Sequence, residues 1–301
     1  MNHDLAYIHA HHLLRTYIYQ LCTAERSYLD HIEEKRDFKL KMAGALKPKP
    51  FLGKVISITG AGSGISQCTA QLLYARGATL AICDVNPAGL AETEALLKEI
   101  PADGGQQFWA AIVDVSQEDA VSQWIDEAVS KFGRLDHAAN ICGVIHPVKP
   151  LADATKEDFD LVVNVNFRGT WNCMRAQVKH LGRGSSIVNF TSGVGLRAEP
   201  GLGLYAATKG GVQTLTSAGA VEWGDKGIRV NAIAPGVVRT TTALKSLPSS
   251  FFTPFERATP LGRVAEPEDI AKAVAFLLSE EGGWVNGVVL RVDGGYLHTS
   301  H

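Results

Sequence analysis

Residues 51–301 predict a doubly wound parallel α/β sheet, and three observations carry that expectation. Short β-branched apolar runs alternate with longer helical runs along the whole stretch, the pattern of parallel strands joined by right-handed crossovers. The first run, Val55-Ile-Ser-Ile-Thr59, leads directly into a glycine-rich turn, Gly60-Ala-Gly-Ser-Gly64, that opens a helix. Twenty residues beyond Gly64, an acidic residue, Asp84, closes the second run.

The chain begins with a different texture. Residues 1–41 hold no Gly or Pro and carry Leu5, Ile8, Leu13, Leu14, Tyr17, Ile18 and Leu21 at helical spacing. Residues 1–50 therefore read as a helical extension ended by an extended linker at Lys47-Pro-Lys-Pro50, where proline removes donors and disfavours helix. Residues 1–41 are expected to be dispensable, with Met42 as an alternative functional start. His9, His11 and His12 lack the C-x-x-C or H-E-x-x-H setting of a metal site, so no metal is expected. In the Rossmann-like domain, 51–301, strands are expected at 55–59, 79–83, 108–113, 135–139, 186–190, 228–233 and 288–292. Helices are expected at 65–75, 88–98, 118–131, 156–180, 205–223 and 268–278.

Composition excludes several classes. The 301 residues are 46% hydrophobic and 20% charged, with a formal net charge of −2, an ordinary globular balance with no global basic field for nucleic acid or an anionic membrane. The five cysteines are widely spaced and include no C-x-x-C, which argues for reduced thiols in a cytoplasmic protein over a disulfide or zinc framework. No apolar run reaches about 18 residues, and the N-terminus lacks a basic n-region followed by an apolar h-region.

Ligands of such a sheet bind beyond the carboxyl ends of its strands, so residues there are read for function first. Gly60, Gly62 and Gly64 allow backbone to approach a pyrophosphate at a helix N-terminus. Asp84 would accept hydrogen bonds from an adenosine ribose diol and repel a 2′-phosphate, which favours NAD over NADP. Further along, Tyr205 and Lys209 lie four apart on one helix face, where an ammonium lowers a phenol pKa and readies it for proton transfer. Chance supplies such a pair often, so the surrounding residues decide its meaning.

Those residues resemble the short-chain dehydrogenase/reductase family, in its single-domain form of about 250 residues, over roughly 51–297. Thr59-Gly-Ala-Gly-Ser-Gly64-Ile65-Ser66 is similar to the family's T-G-x-x-x-G-x-G, with Ser66 in place of the last glycine, where it should widen the helix–strand contact slightly. Asp114-Val115 matches the aspartate segment that contacts adenine, and Asn140 the first residue of N-N-A-G, here continued by Ile141 and Cys142. Cys142 is read as a small core residue, since no base accompanies it. Asn166, Ser192, Tyr205 and Lys209 match the family's catalytic tetrad, with Ser192 the usual thirteen residues before Tyr205. Pro235-Gly-Val-Val-Arg-Thr240 resembles P-G-x-x-x-T, which orients the nicotinamide carboxamide.

The resemblance implies cofactor contacts from Gly60, Ser63, Gly64, Ile65, Asp84, Asp114, Val115, Asn140, Tyr205, Lys209, Val238 and Thr240. It implies a proton relay in which Tyr205 is the acid/base, Lys209 stabilises its phenolate, Ser192 holds the substrate oxygen and Asn166 connects Lys209 to solvent through water. Residues 241–260, with Phe251, Phe252 and Phe255, are the expected substrate lid, fitted to an apolar polyketide- or terpenoid-like alcohol or ketone or else engaged in a subunit contact. Helices near 156–180 and 205–226 imply a homodimer or homotetramer. A non-catalytic dinucleotide sensor or scaffold, or a cofactor-assisted isomerase or cyclase on the same fold, are the alternatives.

Overall fold

The structure, a computed structural model, describes residues 49–240, 244 and 248–298. The helical extension, its histidine cluster, Met42 and the first half of the Lys47–Pro50 linker lie outside the described residues, as does much of the first part of the lid.

Seven parallel strands form one sheet in the order β3-β2-β1-β4-β5-β6-β7 among the described residues. They are β1 (Val55–Thr59), β2 (Thr79–Asp84), β3 (Phe108–Ile112), β4 (His137–Asn140), β5 (Ser186–Phe190), β6 (Arg229–Pro235) and β7 (Val289–Val292). Every position of β1, β4 and β5 is buried, because helices cover both faces of the central strands. The pleat sorts their side chains with period two: Ile56, Ile58, Leu80 and Ile82 enter one core layer, while Val55, Ala81 and Cys83 enter the other. Each large apolar side chain buried this way contributes about 2 kcal/mol.

The first layer is closed by α1 (Gly64–Ala75), α2 (Pro87–Lys98) and α9 (Pro267–Leu278), with Leu73, Val274, Leu277 and Leu278 fully buried. The second is closed by α3 (Glu118–Phe132), α5 (Gly169–Gln177) and α7 (Gly203–Glu222), around Val121, Trp124 and Ile125, while α4 (Lys156–Val162) packs beside α7. Among the described residues there are also two short helices, α6 (Gly193–Leu196) and α8 (Thr253–Ala258). The strand order reverses between β1 and β4, and their register brings Thr59 beside Asn140 and Asn140 beside Asn189. The chain therefore leaves β1, β4 and β5 at one level, and a crevice opens there.

Most element ends shift by one or two residues, and two differences have a visible cause. The helix expected over 156–180 is interrupted by a π-helical segment, Val163–Arg168, and ends at Gln177. Gly169 follows the π segment because a methyl group there would approach Val115 Cγ2 to 2.6 Å, so the helix lies hard against the loop after β3. The strand expected at 135–139 starts at His137, since the carboxylate of Asp136 accepts the Val55 N–H at 2.9 Å.

Candidate active site

The crevice at the carboxyl ends of the strands has a volume of about 620 Å³. Gly60, Ser63, Gly64, Ile65, Asp84, Ser192, Tyr205, Lys209, Val238 and Thr240 all line it. Asn166, Asp114, Val115 and Asn140 do not line it; three of these four are buried close by, and Asp114 is exposed.

The glycine turn is shaped for close approach of a ligand. Gly60 and Gly64 have φ of +73° and +55°, a region that L side chains avoid. A methyl group on Gly60 would come within 3.0 Å of the Cys142 backbone, and one on Gly62 within 2.9 Å of the Asp84 carboxylate. Asp84 is fixed by two backbone donors: Gly62 N–H to Oδ2 at 2.8 Å and Asn86 N–H to Oδ1 at 2.9 Å. Helix α2 is capped by Asn86 and α4 by a Thr155–Asp158 box, whereas Ser63 makes no cap hydrogen bond to α1. The N-terminus of α1 thus meets the wall of the crevice without a cap from Ser63, the arrangement that binds a pyrophosphate. The cradle that a Cβ would fill, the uncapped helix and the anchored carboxylate together fit a nicotinamide dinucleotide. Ser66, in place of a glycine, turns its hydroxyl to the Thr59 carbonyl at 2.6 Å and so ties α1 to β1.

At the other end of the crevice, Ser192 follows β5 and its Oγ accepts the Val194 N–H at 3.2 Å, which caps α6. Ser192 and Tyr205 face the same crevice, where Ser192 acts on the phenol to favour its ionised form. Tyr205 and Lys209 stand one turn apart on α7, with Nζ 5.8 Å from the phenol ring centroid. Lys209 is 3% exposed, its Nζ donates to the Phe190 carbonyl at 2.9 Å, and burial pulls its pKa from 10.5 to about 8. Burial also raises the Tyr205 pKa, only partly offset by Ser192. Desolvation thus sets the direction of the phenol shift, and spacing on the helix does not.

Asn166 is fully buried on the π segment. Its Oδ1 accepts the Val144 N–H at 2.8 Å and its Nδ2 donates to the Val144 carbonyl at 2.9 Å. The side chain therefore clamps the loop after β4, and it brings Gly143 so near that a methyl group there would lie 3.0 Å from Lys209 Nζ and 3.2 Å from Asn166 Oδ1. Asn140 sits beneath the crevice in a buried network, donating to Asn189 Oδ1 at 2.9 Å and accepting from Gln177 Nε2 at 2.8 Å. Val115 packs against Gly169, and Asp114 Oδ1 accepts the Ser116 N–H at 2.9 Å.

Gly143 is the glycine that the N-N-A-G resemblance retains, whereas Thr191 and Gln177 carry no signal in that resemblance. Thr191 Oγ1 donates to the Lys209 carbonyl at 2.7 Å and fastens α7 to the end of β5. A polar residue among the apolar positions of a helix was the available signal for Gln177. In the lid, Phe252 is 1% exposed and Phe251, Phe252, Phe255 and Tyr296 stack at 5.4–6.1 Å. Arg239, from the Pro235–Thr240 segment, pairs with Glu256 of α8 and lies 5.3 Å from the Phe252 ring. The lid rings thus anchor one another and the loop that carries Val238 and Thr240.

A family model described as enoyl-(acyl carrier protein) reductase, of the short-chain alcohol dehydrogenase type, matches residues 60–297. A short-chain dehydrogenase/reductase, ABA4, of Pyricularia oryzae is 39% identical over 256 residues, covering 82% of this chain and 93% of its own. The crystal structure of levodione reductase superposes with a TM-score of 0.78 at 35% identity, covering 83% of this chain and all of that one. A short-chain dehydrogenase from Burkholderia cenocepacia in complex with NADP superposes with a TM-score of 0.73 at 30% identity, over 82% of this chain and 99% of the other.

Proposed function

The chain belongs to the short-chain dehydrogenase/reductase family, whose members are nicotinamide-dependent oxidoreductases, and from that premise we propose that it interconverts a secondary alcohol and a ketone on an apolar substrate, with NAD(H) preferred. The observation that carries this reading is the convergence of Ser192, Tyr205 and buried Lys209 on the same crevice as the glycine turn and Asp84.

When bound, the nicotinamide supplies or accepts the hydride. Tyr205 passes the matching proton to or from the substrate oxygen. Ser192 donates to that oxygen and steadies its developing charge. Lys209, nearly dry and with a pKa of about 8, favours the phenolate when it carries its proton and can itself exchange that proton near neutrality. Asn166 acts by holding Val144 and Gly143 against Lys209, and its place behind the lysine suits a water-borne exit for the proton.

Asp84 supports NAD over NADP, because its carboxylate is pinned at the end of β2, where a 2′-phosphate would meet like charge. Apolar side chains support the substrate class. Ile145, in the crevice lining, is 54% exposed; Val148 lies against Gly201 and Leu151 against Gly203, just ahead of Tyr205. Exposed Phe159, Trp171 and Val221 on α4, α5 and α7 support assembly into a homodimer or homotetramer, which sedimentation would read directly. The function is tested by a nicotinamide absorbance screen of secondary alcohols and ketones with NAD(H) and NADP(H) in parallel. Turnover is expected with apolar ring-bearing substrates and NAD(H), and turnover confined to short sugars or acyl thioesters would overturn the substrate class.

A further inference from the structure

At the opposite end of the sheet from the catalytic crevice lies a second cavity of about 620 Å³, within the range of small-molecule sites. It is built where the strands begin. His137 opens β4 and Arg229 opens β6, while Phe51 and Lys54 precede β1 and Gly184 precedes β5. Phe51, Ile228 and Leu278 give it an apolar lining and are themselves at most 1% exposed. The Trp284 indole, also in the lining, is fully exposed.

The lining carries three cations, Lys54, Arg183 and Arg229, against one carboxylate, Glu280. The half-buried Arg229 guanidinium donates only to carbonyl oxygens, those of Leu277 at 2.8 Å, Ser279 at 3.1 Å and Val285 at 3.3 Å. No carboxylate among the described residues lies within ion-pair distance of it. Lys54 has Asp136 at 3.5 Å, but Asp136 is held closer by Arg134, at 2.6 Å. The cavity therefore keeps a positive surplus that nothing described here balances.

His137 adds an independent sign. It is 5% exposed, neither of its ring nitrogens has a hydrogen-bond partner among the described residues, and Nδ1 is wholly buried. Burial holds its pKa at about 4, so the ring is neutral. Polar groups buried this deeply are normally satisfied, and a neutral imidazole can donate to an anion from either nitrogen.

We propose that this cavity is a second binding site, for a small organic anion consisting of an apolar ring with one carboxylate. The ring lies against the exposed Trp284 indole, above a floor packed from Phe51, Ile228 and Leu278, the carboxylate meets Arg229 and Arg183, and His137 supplies a hydrogen bond. A bare inorganic anion would leave the Trp284 face unused.

The test is calorimetric titration of the full chain with 2-naphthoate at saturating NADH, beside its neutral counterpart 2-naphthamide. Saturable binding of the carboxylate is expected, with the amide about tenfold weaker, the size of a lost hydrogen bond to a charged group. Arg183→Ala, on the exposed rim, and His137→Phe should each weaken naphthoate about three- to tenfold, with turnover unchanged in Arg183→Ala. Absence of saturable binding, equal binding of the amide, indifference to both variants, or competition between naphthoate and the alcohol substrate would each overturn the proposal. So would a drop in oligomer mass on Trp284→Ala, which would make this face a contact between copies of the chain.

Discussion

Replacing Lys209 with Met should make the protein more stable near neutral pH while disabling it. The amine is 3% exposed, and burial pulls its pKa from 10.5 to about 8. That fall corresponds to about 3 kcal/mol against carrying the proton in the folded state. The folded pKa lies below the unfolded one, so between about pH 8 and 10.5 the unfolded chain binds more protons and stability rises with pH. The penalty is complete below about pH 8 and gone above about 10.5. Methionine has similar length and no charge, but it leaves the Phe190 carbonyl without its 2.9 Å donor, a loss of about 1–2 kcal/mol. The balance predicts that Lys209→Met is about 1–2 kcal/mol more stable than wild type near pH 7 and less stable by a similar amount near pH 10.5. Turnover should fall about 10²- to 10⁴-fold, as expected when a proton-transfer partner is removed. Urea unfolding of both proteins across this pH range reads the difference directly. A variant less stable than wild type near pH 7, or a stability difference that does not change with pH, would refute the reasoning.

Three further outcomes follow from the same geometry. Asp84→Ala should raise kcat/KM with NADP relative to NAD by about tenfold or more, since a like charge facing the 2′-phosphate is removed; steady-state kinetics with both cofactors measures it. In Gly62→Ala, the new methyl would sit 2.9 Å from the Asp84 carboxylate, so NADH affinity measured by fluorescence should drop by an amount matching about 1–3 kcal/mol of strain. His137 has a folded pKa of about 4 against an ordinary 6.5, so the unfolded chain binds more protons between those values and stability falls with acidification by up to about 3 kcal/mol. His137→Phe should flatten that slope in unfolding experiments at about pH 4 to 6.5, and an unchanged slope would contradict the assignment.

Strands were legible in the sequence because β1 and β5 are buried on both faces and so read as continuous apolar runs. The glycine turn and Asp84 were legible for a related reason: backbone that must approach a ligand excludes Cβ, and Gly60, Gly62 and Gly64 answer that need at fixed offsets. The π segment was not legible, since Val163–Arg168 has an ordinary helical composition and its wider turn arises from packing of Gly169 on Val115. The same limit applies to electrostatics. Spacing put Lys209 and Tyr205 on one face, but the direction of the phenol pKa depends on burial, which four-residue spacing does not encode. Gln177 reads in sequence as one more polar helix residue; only the fold turns it inward to bond Asn140 and Ser57 beneath the crevice. The second cavity gathers residues from the starts of several strands, and none of them forms a motif.

On the proposed mechanism Tyr205, set by Ser192 and Lys209, moves the proton that accompanies hydride transfer. Single-turnover oxidation of a secondary alcohol with NAD, followed by nicotinamide absorbance, compares wild type with Tyr205→Phe, a substitution that removes only the phenolic oxygen. NADH binding is expected to be retained while the hydride-transfer rate falls about 10²- to 10⁴-fold. Equal rates in the two proteins, with cofactor bound to both, would contradict it.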